Sequence, residues 1–141
     1  MHDNILLPID LQHSESWEKA LPVAKRLAGD SGTIHLLGVV HDFGSSMVAT
    51  FLPKGYETRV LQAMKEALDV FADAHFDDPS RIRTHVGHGN VAETILKSAR
   101  KYQADLIVMA SHQPDELRSI LVSRDANAVV RHSPVSVMVV R

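Results

Sequence analysis

Residues 105–141 read DLIVMASH, then QPDELRSILVSRDANAVV, then RHSPVSVMVVR. Residues 106–109 are apolar on both faces, as suits a central parallel strand covered on each side by helices. A helix fits within residues 124–131, and residues 135–140 form a last strand. Strand, loop, helix, strand is half of a parallel-sheet crossover series, and the rest of the chain supplies the other half.

Working outward, residues 5–9 are a short apolar run with Pro8 at its end, where a proline is tolerated. Asp10, His13 and Ser14 bring turn and cap chemistry. Trp17, Ala20, Leu21, Ala24, Leu27 and Ala28 recur at helical spacing and predict a helix over residues 16–28. Residues 33–40 (TIHLLGVV) are the second strand. Residues 41–55 hold Gly44, Pro53 and Gly55 beside Phe43, Met47, Val48, Phe51 and Leu52; the apolar members are expected to pack over the helix that follows.

That second helix spans residues 56–74, with Val60, Leu61, Met64, Leu68 and Phe71 on one face. A turn at residues 77–80 leads to a strand over 82–86 with one more polar face, broken by Gly87 and Gly89. A third helix covers residues 91–102. The series predicts an α/β fold: one open five-stranded parallel sheet with helices on both faces, a single domain over residues 1–141.

Bulk properties narrow the function. The 141 residues carry a formal charge of −2 with both signs mixed along the chain, which lacks the basic footprint of a nucleic-acid binder. There is no cysteine, hence no disulfide, thiolate metal site or thiol nucleophile. MHDNILLPID lacks the basic and apolar regions of a signal peptide, and no apolar run approaches the ~20 residues of a membrane span. No membrane partner is expected.

In an open parallel sheet, ligands bind at the carboxyl ends of the strands where the winding reverses. If the first three strands wind one way and the last two the other, the first and fourth are neighbours at that point. Pro8 and Asp10, Ala110 and His112, and the end of the second strand at Val39 and Val40 would then face one crevice.

ILLPID at the start, GNVAETILKSA at residues 89–99, ADLIVMASH at 104–112 and VVRHSPVSVMVV at 129–140 together resemble the universal stress protein family over nearly the whole length. The resemblance implies a Rossmann-like, adenine nucleotide alpha hydrolase-like domain, a cytoplasmic location and a homodimer built partly by the last strands. Many members bind ATP through a loop of Gly, two residues, Gly, nine residues, Gly, then Ser or Thr. This chain places Ala110, Gln113, Ser123 and Arg124 at those positions.

Those substitutions matter physically. Glycine reaches positive φ and lets backbone N–H groups close around phosphate oxygens. Gln113 in a left-handed conformation costs roughly 1–2 kcal/mol. Pro114 has no N–H to donate, and Asp115 and Glu116 repel phosphate. Arg124 pulls the other way, since it can donate a charge-assisted bond near a helix start. Two readings stay open: a degenerate site with no cofactor, or an altered adenine-nucleotide site using Asp10 and Arg124. Asp10 as a helix cap and Arg124 as a solvated helix-end charge are the plain alternatives.

The nine histidines form no metal-ligand spacing, and no metal is expected. Ser111 and His112 are adjacent on an extended segment and cannot pair as a triad, and no G-x-S-x-G elbow occurs. The expectation is therefore a non-enzymatic stress-response or regulatory protein that forms a homodimer through its C-terminal strand and acts on a regulatory protein partner. An ATP- or AMP-binding sensor is the alternative, and a weak ATPase the remote one.

Overall fold

The computed structural model describes residues 2–40, 54–111 and 123–141, the side chains of Ser123 and Arg124 excepted. Five strands, β1 (Asn4–Pro8), β2 (Thr33–Val40), β3 (Ile82–His88), β4 (Leu106–Ala110) and β5 (Ser136–Val140), form one parallel sheet in the order β3-β2-β1-β4-β5. Among the described residues, four α-helices connect or flank them: α1 (Ala20–Ala28), α2 (Tyr56–His75), α3 (Val91–Lys101) and α4 (Ser123–His132). This is the expected α/β architecture.

Alternation along the strands builds two apolar layers. Ile5 and Leu7, Ile34 and Leu36, and Leu106 and Val108 pack with α1 and α2 through Leu21, Ala24, Leu68 and Phe71. Leu6, Leu37 and Val39, Ile107 and Met109 pack on the other face with Val91 and Ile95 of α3 and Val129 of α4. Both faces of β1, β2 and β4 are covered, which is why their sequences run nearly unbroken in apolar residues.

Two local expectations change. The first helix begins at Ala20 and not at residue 16; a short 3-10 turn, Ser14–Ser16, precedes it. The fully buried Ser16 hydroxyl accepts from Asp10 N at 2.8 Å and donates to Asp10 O at 2.9 Å, which pins the chain into a turn where Trp17 had suggested helical phase. Gly87 does not break the third strand but pairs with Val39 inside it, and β3 runs on to His88. A Cβ at Gly87 would lie 2.1 Å from Thr94 Cγ2, so glycine here lets α3 lie close on the sheet. Asn90 starts α3, its side chain accepting from Glu93 N at 3.0 Å. The expectation for residues 41–55 falls largely on 41–53, outside the described residues.

Candidate ligand crevice at the strand ends

β1 pairs with β2 on one side and β4 on the other, so the winding reverses between β1 and β4. Pro8 and Ala110 end these two neighbouring strands, and Asp10 follows two residues after Pro8. Val39 and Val40 end β2 beside them. The structure thus brings Pro8, Asp10, Val39, Val40 and Ala110 to the same end of the sheet. His112 and Gln113 lie outside the described residues, and Ser123 and Arg124 open α4 with side chains that are likewise not described.

Asp10 is the charged group of this set and is buried. Its Oδ1 accepts the Gln12 N–H at 3.0 Å, and its Oδ2 lies 2.8 Å from His13 Nδ1. The carboxylate therefore serves as the hub of a tight turn. This is close to the cap role weighed from sequence, although the N–H groups it satisfies belong to the turn ahead of α1. His13 falls in the turn expected from sequence, whereas Ser16, read there as the start of a helix, is the member of the hub that the sequence did not reveal. The D-x-x-H spacing at residues 10–13 was the signal that carried the pair.

The backbone here is equally committed. Ile9 N donates to Leu37 O at 2.9 Å, Asp10 N to Ser16 Oγ at 2.8 Å, Gly89 N to Val40 O at 2.9 Å and Ser111 N to Val140 O at 2.9 Å. An anion cradle needs several convergent N–H groups left open. These four, two following β1 and one each following β3 and β4, are already bonded within the protein. Val39 is packed into the layer under α3, where it shapes the floor more than it offers contacts.

Among the described residues, no three His, Asp or Glu side chains gather as a metal-ligating group. No described helix is long and apolar enough to cross a membrane.

Comparison with known proteins places this geometry. The model of the universal stress protein family matches residues 1–141. Universal stress protein G of Escherichia coli and of Shigella flexneri are each 32% identical over 143 residues, covering 100% of both chains. Among solved structures, the hypothetical protein MJ0577 superimposes with a TM-score of 0.77 at 25% identity, covering 99% of this chain and 96% of that one. A universal stress protein in complex with cAMP gives 0.62 at 20% identity, over 99% of this chain and 97% of that one. An Arabidopsis thaliana family protein with AMP bound gives 0.62 at 15% identity, over 98% and 90%.

Proposed function

The chain belongs to the universal stress protein family, and from that membership we propose a non-enzymatic, dimeric, cytoplasmic regulator whose nucleotide crevice has degenerated. What carries the reading is the state of the strand ends. The N–H groups of Ile9, Asp10, Gly89 and Ser111 are each bonded internally, and the Asp10 carboxylate is held by Gln12 N and His13. Ala110, Gln113, Ser123 and Arg124 replace the loop residues that would otherwise supply a phosphate cradle. Signalling in this reading passes through protein surfaces to a regulatory protein partner.

A second reading keeps an adenine nucleotide. Structural neighbours hold cAMP or AMP, and α4 begins with Ser123 and Arg124, so Arg124 sits in the first turn of a helix, where an anion is favoured. Calorimetry with ATP, AMP and cAMP separates the two. No heat of binding at millimolar nucleotide is the expected result. Saturable binding at micromolar concentration, lost in Asp10→Ala and Arg124→Ala, overturns the degenerate-site reading in favour of the sensor.

The dimer rests on β5. Among the described residues it is an edge strand with no pairing partner on its outer side, and Met138 is 39% exposed on it. An apolar edge of this kind invites pairing with a second copy. A monomeric mass by light scattering across a broad concentration range rejects it.

A further inference from the structure

Three rings lie in a stack on the sheet, set back from the strand ends. His35 on β2, His85 on β3 and Tyr102 just after α3 are nearly parallel. The His85 and Tyr102 centroids are 3.6 Å apart at 11°, and those of His35 and His85 are 5.1 Å apart at 15°. His35 Nδ1 lies 2.9 Å from His85 Nε2, and His35 Nε2 lies 3.2 Å from Asn4 Oδ1. The stack joins edge strand β3 to β2 and ties both to the last turn of α3. His35 is buried and His85 half-buried.

The hydrogen-bond chain has one consistent proton arrangement when Asn4 Oδ1 accepts. His35 then carries its proton on Nε2, its Nδ1 is an acceptor, and His85 Nε2–H donates to it. One added proton is tolerated: it sits on His35 Nδ1, and His85 shifts its own proton to Nδ1 and accepts. A second proton is not tolerated. It places N–H against N–H at the 2.9 Å contact, with a positive charge on each ring.

The surroundings sharpen this. The groups whose charge acts on His85 are all basic: Lys65 from α2, Lys101 from α3, Arg83 on its own strand, and His35 from β2 once it is protonated. Lys101 Nζ also lies 5.4 Å from the Tyr102 ring centre. Two carboxylates in this region are engaged elsewhere. Asp69 of α2 accepts from Lys65 and Thr84, and Asp105 accepts from the Asp3 and Asn4 amides and contacts His2. Burial first, then these basic groups, holds His85 down to about 4, and burial with Arg83 lowers His35.

We propose that the His35–His85–Tyr102 stack is an acid-sensitive latch, closed at neutral pH and opened when both imidazoles become protonated, releasing β3 and the end of α3 from each other. The sign follows from linkage. In the unfolded chain a histidine takes up its proton near 6.5, whereas His85 in the folded protein does so only at about 4. Between those values the unfolded state binds more protons, so latch stability falls as pH drops from about 6.5 and is exhausted below about 4. Neither side chain belongs to the strand-end crevice, so the latch stands or falls apart from the nucleotide question.

The experiment follows histidine ring resonances of the full chain by NMR from pH 7.5 to 3.5, alongside thermal unfolding of the wild type and of His85→Phe. Phenylalanine keeps a ring in the stack and removes the titration. The expected result is that His85 titrates at about 4 and His35 below the ordinary histidine value of 6.5, and that the two perturb one another. The Tyr102 ring signals should shift with them, and the fall in Tm from pH 7 to pH 4 should be visibly shallower in His85→Phe. A His85 that titrates near 6.5, or a Tm profile for His85→Phe that superimposes on the wild type, overturns the latch. If His85→Phe does not fold, the wild-type titration alone decides: uncoupled histidines reject the proposal.

Discussion

His13 Nδ1 lies 2.8 Å from Asp10 Oδ2, and the two residues close the turn that carries the chain out of β1. Asp10 stands at the reversal point of the sheet, where this fold type places ligands. Its carboxylate is spoken for before any ligand arrives. A nucleotide that used Asp10 would have to displace His13 or share the carboxylate with it, and the affinity would be reduced by the cost of that exchange.

The hub should be measurable in stability. Ser16→Ala removes the hydroxyl that bonds both Asp10 N and Asp10 O in a fully buried setting. A buried donor left without a partner costs about 1–3 kcal/mol, and urea unfolding of Ser16→Ala should show a loss in that range with an unchanged m-value. Ser16→Thr keeps the hydroxyl and should lose less. Equal losses would mean that the packing of the site matters and the hydrogen bonds do not.

Gly87 and Thr94 test the approach of α3 to the sheet. Gly87→Ala places its methyl 2.1 Å from Thr94 Cγ2, so the helix or the strand must move. A loss of about 1–3 kcal/mol is expected, as for other overpacked positions. Thr94→Ser removes the clashing methyl while keeping the hydroxyl that donates to Asn90 O at 2.6 Å. The double variant Gly87→Ala with Thr94→Ser should recover much of the loss, and a double-mutant cycle reads the coupling. Strict additivity would place the strain elsewhere.

Ile107→Ala deletes a fully buried side chain of β4 in the layer under α3 and α4. Substitutions of this kind cost about 2–5 kcal/mol. Calorimetric or denaturant unfolding should register that loss, and a cost under ~1 kcal/mol would contradict the close packing described for this layer.

Met138→Glu puts a charge on the edge strand β5, at a position 39% exposed in the single chain. Edge charges oppose strand-to-strand association. Light scattering should report a shift toward monomer at concentrations where the wild type is dimeric, with far-UV circular dichroism unchanged. A variant that stays fully dimeric moves the interface away from β5.

The strands were legible because burial on both faces leaves a plain signature. TIHLLGVV spans the whole of β2, and LIVMA gives β4 with only its last residue beyond the sequence boundary. The start of α1 was not legible. Trp17, Ala20, Leu21 and Ala24 keep helical spacing across the turn, and only the Ser16–Asp10 bonds, which depend on where β1 ends, show that the helix begins later. Gly87 was misjudged for a similar reason: a glycine reads as a break unless the helix lying over it is known. At the candidate site, the strand ends were legible from topology, whereas the saturation of their N–H groups depends on long-range partners such as Leu37 and Val140. The His35–His85 contact joins residues fifty positions apart in sequence and leaves no local trace.

The pairing between β1 and β4 has a mechanical consequence. Its register runs only from Ile5–Leu6 to Leu106–Ile107, whereas β2 and β3 are matched from Ile34 to Val40 against Ile82 to His88. The sheet is thus two ribbons joined by a short weld, with the crevice at one end of it. Partial opening should start at this weld, so that β4, α4 and β5 swing out as one leaf while β1–β2–β3 stays knitted. In the proposed dimer through β5, assembly with a second copy would brace the part of the sheet that yields first.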